Sequence, residues 1–537
     1  MWIHLNSASV DWSCKKKWTG ILLLCAFVLL VHGGALKNEF YWDDRPIILE
    51  GHFLRSIHQI PPLFFHEFWY HVDQGERAPR AKLDTYRPVY NLSFQLDHFL
   101  WAKNPIGFHL TNLIYHLFNV LLVFAIGLQF LRPEFAWMGA LIFSVHPLAL
   151  EPVHYVSARA DSLSCLFSLL ATWIGFKKKD LQISHAFQTA FFYFCGILVK
   201  ESILFFPLVW MIVFWIQDFS RHKIKFFALT LGVTGFFYLA LRSYALKGAK
   251  AVASASHLFE IFFNFPRCVI HFISSFFIPL HNMPMQPFKM LNVSENLLFW
   301  VLPWIFYPVF IYLMVFIIRK KYKCSMTLLW VVLALLPAFF ATSMTEVMNP
   351  RYYYAPLTGM VIFTALLFDA GVTRKLLGLS FSIVSLGVLA FIFGLISKTI
   401  AGHYRTGELF YRKILEDTPH HVEAEYNLAN TLYRENNLRE AQYWYHEVLR
   451  HQPGHVSALN NLGLALKNQN QPTSAIPFFK KAIELRPNEA RYHYNLALSF
   501  EQLGNMREAR IFLERAVKLD PHYSLAKTKL RELSASP

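Results

Sequence analysis

Charge is what this chain has least of. Of its 537 residues, 16% are Asp, Glu, Lys or Arg, against 55% hydrophobic and 17% aromatic. A soluble protein of this size carries about 25% charge, so most of the chain is read as dissolved in lipid. The six cysteines are scattered, with no CxxC pair and no metal-ligand spacing. They argue neither for a disulfide framework nor for zinc. No Gly-rich phosphate loop, Walker lysine pattern or dinucleotide fingerprint is present, which disfavours a soluble nucleotide donor. The net charge of +16 is no nucleic-acid footprint, because the basic residues cluster beside apolar spans as the positive-inside rule predicts.

The apolar runs predict a polytopic, all-α membrane domain over residues 1–402. Lys15, Lys16 and Lys17 precede a first span from Trp18 to Leu36 that lacks a small-x-small cleavage site, so it reads as a retained signal-anchor with its N-terminus cytoplasmic. A long non-cytoplasmic loop is expected from Lys37 to about Pro105, with PPLFFHEFWY (61–70) lying along the interface. Further spans are expected near 107–130, 135–148, 162–176, 185–199, 203–217, 226–242, 297–318, 327–343, 354–370 and 376–397. Basic turns at Arg132, at 177–179, at Arg221, Lys223 and Lys225, at 319–323 and at 373–375 fall on the cytoplasmic side. The run from Phe259 to Leu280 contains Pro266, Arg267 and His271, and is expected to lie in the interface or re-enter. The count is then about eleven spans with the C-terminus outside. A twelfth would reverse that side.

After Lys398 the composition turns polar and a period of 34 appears. Leu428, Leu462 and Leu496 keep it, with Ala429, Gly463 and Ala497 beside them. Ala441, Ala475 and Ala509 follow the same step, as do Tyr445, Phe479 and Leu513, and Pro453, Pro487 and Pro521 close each unit. This is the tetratricopeptide pattern, in which small residues let two helices approach closely. Three full repeats are expected over 422–523 within a domain spanning 403–537. A helix at 403–417 precedes them, and a terminal helix with Leu525, Leu530 and Leu533 follows. Stacked repeats form a superhelix whose concave face usually holds peptides or protein segments.

The candidate site residues come from polar groups at span boundaries, where ionisable side chains are costly unless they line a wet cavity. FYWDDR (40–45) places Asp43 and Asp44 at the outer end of the first span. On the same side lie VHPLALEPVHYVSARAD (145–161), with His146, Glu151, His154, Arg159 and Asp161, then VKES (199–202) with Lys200 and Glu201. Arg351 in NPRYYYAP (349–356), Arg87 in TYRP (85–88) and Arg267 add positive charge. Singly, each reads as a neutralised pair at a helix end; five clusters on one face read as a site. A carboxylate there can take a proton from an acceptor hydroxyl, while Lys and Arg hold a phosphate and stabilise its charge as it leaves.

Several stretches carry a resemblance: FYWDDRPIILEGHFLR (40–55), TYRPVYNLSFQLDHFL (85–100), GFHLTNLIYHLFNVLLVF (107–124), SVHPLALEPVHYVSARADSL (144–163), VKESILFFP (199–207) and NPRYYYAPLTG (349–359). With the repeat tail, the chain resembles the transmembrane and tetratricopeptide-repeat O-mannosyltransferases and their bacterial relatives, within the GT-C superfamily of glycosyltransferases. The last stretch departs from the family, which carries an acid directly before that Arg where this chain has Asn349 and Pro350. The resemblance implies a polyprenyl or dolichyl phosphate sugar donor, plausibly mannose, and inversion at the anomeric carbon. Catalysis falls to Asp43 or Asp44, with Asp44 favoured. Substrate binding falls to Arg87, His146, Glu151, Arg159, Asp161, Lys200, Glu201 and Arg351, with Arg159 and Lys200 as phosphate contacts. No metal and no further cofactor enters that scheme.

The expectation is therefore an integral membrane glycosyltransferase serving a protein Ser/Thr or other envelope acceptor, with the repeats binding acceptor or partner, and without a nucleic-acid role. The bacterial inner membrane with periplasmic site and repeats is the expected location, the endoplasmic reticulum with lumenal repeats the alternative. There the triplets at 91–93 and 292–294 would read as glycosylation acceptors. The competing reading is a membrane-anchored scaffold for envelope assembly. A lipid-linked sugar transporter is third, since it would need polar clusters on both faces.

Overall fold

The computed structural model describes residues 12–51, 58, 60–68, 85–176, 183–216, 221–246, 255–281, 286–287, 297–319, 323–345, 347–370, 375–376 and 379–535. The basic positions 177–179, 320–322 and 373–374, residues 69–70 of the aromatic loop and the triplet 292–294 lie outside them. The chain divides into two units, Met1–Arg405 and Thr406–Pro537.

The first unit is helical. It comprises α1 (Cys14–His32), α2 (Ile60–Leu63), α3 (Pro88–Trp101), α4 (Pro105–Gly127), α5 (Pro133–Val145), α6 (Leu150–His154), α7 (Arg159–Phe176) and α8 (Ile183–Val199). There follow α9 (Phe206–Ile216), α10 (Arg221–Ala245), α11 (Ala255–Phe277), α12 (Leu297–Arg319), α13 (Lys323–Thr345), α14 (Tyr354–Ala370) and α15 (Phe381–Ala401). Two antiparallel ladders of two residues per strand join Gln286–Pro287 to Val347–Met348 and Lys375–Leu376 to Leu379–Ser380. Large apolar side chains such as Leu22, Phe118, Phe236, Trp304 and Phe391 stand exposed on the outside, a surface that water would not tolerate at this extent.

Among the described residues, five helical stretches are long and apolar enough to cross a membrane: Cys14–Lys37, Pro105–Gly127, Ile224–Ala245, Pro350–Ala370 and Phe381–Tyr404. A sixth forms if Pro133–Val145 and Pro147–His154, bent by 59°, count as one span. Fewer pass than the eleven expected. The others, such as Ile183–Val199 and Met326–Pro337, are apolar but short, and the foot of α7 carries Arg159 and Asp161. The stretch expected to lie flat or re-enter forms one helix, α11, with Pro266 inside it. The outer loop expected from 37 to 105 contains α3, which packs on α4 and α8.

The second unit consists of α16 (Gly407–Asp417), the pairs α17 (Val422–Arg434) with α18 (Leu438–His451), α19 (Val456–Asn468) with α20 (Pro472–Leu485), and α21 (Ala490–Gln502) with α22 (Met506–Leu519), and a closing α23 (Ser524–Ala535). The 34-residue period is the packing period. Leu428, Leu462, Leu496, Ala441, Ala475 and Ala509 are all fully buried. A Cβ on Gly463 would stand 2.7 Å from the Phe479 ring, so the glycine sits where that ring leaves no room. Asn436, Asn470 and Gly504 take the left-handed conformation between the helices of each pair, the usual way a helix ends. Between repeats, Asn461 Nδ2 donates to Asn430 Oδ1 at 2.9 Å and Asn495 Nδ2 to Asn460 Oδ1 at 2.8 Å.

Candidate active site

The acidic doublet sits in unusual backbone. Trp42, immediately before it, has φ of +48°, a conformation costly for a bulky side chain. Arg45–Leu49, immediately after, forms a single π-helical turn with Pro46 near its start. Such turns concentrate at functional sites. The two acids then part. Asp43 is half-buried, while Asp44 is completely enclosed.

Asp44 is held from the far side of the unit. Its Oδ1 accepts from the Ser157 backbone N–H at 2.7 Å and from Ser157 Oγ at 2.5 Å. Its Oδ2 has no hydrogen-bond partner among the described residues. Burial pushes the carboxyl up to about 7, against the pull of the Ser157 bonds, with Asp43 adding to the rise. Beside it the Asp43 backbone N–H donates to Tyr155 Oη at 3.1 Å, and Tyr155 stacks on Tyr41 with centroids 5.4 Å apart. The 155–158 segment is thus the floor on which the doublet rests.

That floor exists because the chain bends at His146-Pro147. Proline cannot continue the α5 hydrogen-bond ladder. His146 closes the gap: its Nδ1 accepts from the Leu148 N–H at 3.1 Å, leaving Nε2 to donate to the Phe276 carbonyl at 3.1 Å. Its ring is enclosed by Phe276 and Phe393. His146, expected as a substrate contact, is a hinge cap.

Arg159 likewise differs from the phosphate contact expected. It is fully buried, 2.6 Å from Asp97, with its guanidinium 4.4 Å over the Phe94 ring and bonds to the Ser93 and Phe108 carbonyls. Its Nε has no hydrogen-bond partner among the described residues, but both terminal nitrogens are engaged and the side chain is fully enclosed, so it braces α3 and α4 against α7.

The remaining charges form a partly open group. Arg351 pairs with Glu151 at 3.3 Å, and its backbone N–H donates to the same carboxylate. Glu151 reaches Arg351 from α6. Lys200 contacts Asp161 and lies 4.8 Å from the Tyr352 ring centre. Glu201 stands between Arg87 at 3.3 Å and Arg242 at 2.8 Å. The side chains of Arg87, Arg242 and Arg351 are 26%, 25% and 23% exposed. Lys200 lies in the field of both Arg87 and Arg351, and Tyr155 in the fields of Asp43, Asp44 and Arg351. Tyr90 senses Asp43, Asp44, Arg87 and Arg159 together. The acids and cations quoted from separate motifs therefore meet in one place.

Chain comparison follows the same line. A protein O-mannosyl-transferase of Caenorhabditis elegans is 24% identical over 430 residues, 77% of this chain and 60% of that protein. TMTC1 of Mus musculus is 35% identical over 28% of this chain and 16% of its own length, and TMTC3 of Mus musculus 29% identical over 29% and 17%. Its homologues are protein O-mannosyl-transferases. This chain spans less than two thirds of the length of each of these three relatives. Residues 426–490 and 460–524 match the tetratricopeptide repeat family, as the 34-residue period leads one to expect. Among solved structures, MamA from Desulfovibrio magneticus RS-1 aligns over 24% of this chain and 72% of its own, at 20% identity and a TM-score of 0.23, too low to bear on the argument.

Sequence reading missed Arg242, Tyr155, Ser157 and Asp97. Arg242 had a usable signal, being a guanidinium at the end of an apolar helix, where an unpaired charge is too costly to leave. The other three had none, since each acts through a partner distant in the chain.

Proposed function

We propose that this chain is a membrane glycosyltransferase that moves a sugar, mannose by analogy with its relatives, from a polyprenyl phosphate to a protein hydroxyl on the non-cytoplasmic side. The observation that carries the reading is a partly exposed carboxylate, Asp43, that shares Tyr155 and Tyr90 as neighbours with cations that are themselves partly open. In this reading Asp43 takes the proton of an acceptor Ser or Thr hydroxyl. The oxygen attacks the anomeric carbon, forming the new glycosidic bond with inversion. The bond from that carbon to the phosphate oxygen breaks, and the electron pair leaves on the phosphate. Arg87, Arg242, Arg351 and Lys200, shared among Glu201, Glu151 and Asp161, stabilise the departing charge.

Asp44 is then a positioning residue, since its enclosure keeps it from substrate while its bonds to Ser157 hold the turn that presents Asp43. This reverses the preference for Asp44 as base. The repeat unit binds the acceptor polypeptide or a partner. The setting is a bacterial inner membrane with the site and repeats periplasmic, or equivalently the endoplasmic reticulum lumen.

The test is transfer from polyprenyl-phosphate-mannose to Ser/Thr-containing polypeptides by the purified full chain in detergent. Asp43→Asn should lower product formation by at least ~100-fold, the usual share of a general base, with the melting temperature unchanged. Wild-type turnover retained in Asp43→Asn, or a chain whose only function is assembly through its repeats, would sink this reading.

A further inference from the structure

The repeat unit carries a cluster that the proposed chemistry does not use. His420, in the turn after α16, Glu425 in the first turns of α17 and His451 at the end of α18 bring one potential ligand atom each to within 4.8 Å of one another. His451 Nδ1 is 3.0 Å from Glu425 Oε2, and the two imidazole rings lie with centroids 4.7 Å apart. We propose that these three side chains bind a divalent transition-metal ion of the zinc type in the first tetratricopeptide repeat.

Three observations carry it. Glu425 is 2% exposed, and its position belongs to the packed face of the helix, where the next repeat has Leu459. Among the described residues its carboxylate bonds His451 alone, so a buried carboxylate depends on one imidazole. His451 in turn occupies a position that the later repeats fill with Leu485 and Leu519. The His451 position is the more open of the two, Leu485 being 43% exposed. The Glu425 position is enclosed in each repeat, as Leu459 and His493 show, and an ionised carboxylate there needs a positive partner beside it.

The third observation is the turn. His420 has φ of +65°, whereas its counterparts Gly454 and Asn488 are not left-handed. Its neighbour His421 has a structural task, accepting from the Ala424 N–H at 3.2 Å, just as His455 does from Ala458 one repeat later. His420 has no such task. It is exposed, and its ring is turned onto His451 by a backbone conformation the other repeats avoid.

Two His and one carboxylate form a donor set suited to zinc, with the fourth position of the tetrahedron left to water or to a group from a bound polypeptide. Ligand atoms about 2.0–2.2 Å from a common ion stand closer together than the present spacing, and rotation of the exposed His420 side chain closes the difference. His451 Nε2 now lies 3.3 Å from the Arg450 guanidinium, which also bonds Glu447 at 2.6 Å. When Nδ1 coordinates the ion, the ring keeps its one proton, which moves through solvent from Nδ1 to Nε2. Arg450, 60% exposed, swings fully to Glu447. The ion would pin the α16–α17 turn to the end of α18.

The experiment is zinc binding to the full chain in detergent, read by equilibrium dialysis, with cobalt(II) as a visible-absorbance probe of tetrahedral coordination. One saturable equivalent is expected, with tetrahedral cobalt bands. His420→Ala, an exposed turn residue that does not threaten the fold, should weaken zinc binding at least tenfold and abolish the bands. Glu425→Gln should do the same while keeping the shape of the buried side chain. His446→Ala, on the same repeat but outside the cluster, should change neither. Absence of a saturable equivalent, or an equivalent unaffected by His420→Ala and Glu425→Gln, overturns the proposal.

Discussion

Arg159 and Lys481 are both cations with a carboxylate within reach, and they illustrate how differently the two units use charge. Arg159 and Asp97 are 0% and 4% exposed and lie 62 positions apart in sequence. Lys481 and Glu484 are 56% and 64% exposed and three positions apart on one helix. In the repeat unit most ion pairs are of the second kind, as with Lys413 and Asp417 or Arg450 and Glu447. In the membrane unit the pairs join separate elements: α3 to α7, α6 to the turn before α14, Arg87 to the turn after α8. The difference teaches that surface pairs decorate a helix already specified, whereas buried pairs decide which helices meet. A buried charge without its partner is intolerable, so the partner fixes the neighbour.

The largest expected stability effect comes from breaking that rule. Asp97→Ala leaves the Arg159 guanidinium buried and uncompensated, and should cost about 3–5 kcal/mol, read as a large fall in melting temperature in detergent. Restoring an apolar match with Asp97→Leu and Arg159→Met together should recover much of the loss. If the single substitution is silent, the buried pair is not what joins α3 to α7.

Asp44 gives a pH test of the same idea. Its carboxyl is held up to about 7 by burial, above the ordinary 3.8, so the folded state favours the neutral form. The associated stability is fully present below about pH 4 and is lost as pH rises through about 7, by up to ~4 kcal/mol. Melting temperature should therefore fall over that window in the native chain and stay flatter in Asp44→Asn. A smaller effect is expected in the repeats. Gly463→Ala pushes a methyl into the Phe479 ring and should cost about 1–2 kcal/mol. Smallest of all, Lys481→Ala should change stability by less than about 0.5 kcal/mol. A cost above 1 kcal/mol there would erase the contrast between the units.

How far the fold could be read in advance follows the same division. The repeats were legible to the residue, because Leu428, Ala441, Tyr445 and their counterparts are both the sequence signal and the packing surface. The membrane helices were legible as apolar runs, yet their number and ends were not. Hydropathy does not register the 59° bend at His146-Pro147 or the polar foot of α7. For the candidate site, the motifs named stretches that the fold brings close together. They did not separate Lys200, near Asp161 and Tyr352, from Arg159, sealed under Phe94. The metal-type cluster was equally invisible, since His420, Glu425 and His451 come from three segments with no fixed ligand spacing.

Local chemistry alone settled that this chain would have an apolar helical part, a tail with a period of 34, and acids and cations at the ends of its apolar runs. Folding alone decided that Asp43 stays half-open while Asp44 is enclosed against Ser157. It also decided that Arg242 joins Arg87 at Glu201 and that His146 serves as a cap. The reason is physical: periodicity and hydropathy are properties of neighbours in the chain. Exposure and pairing in a low-dielectric interior depend on groups that only the packed helices bring together.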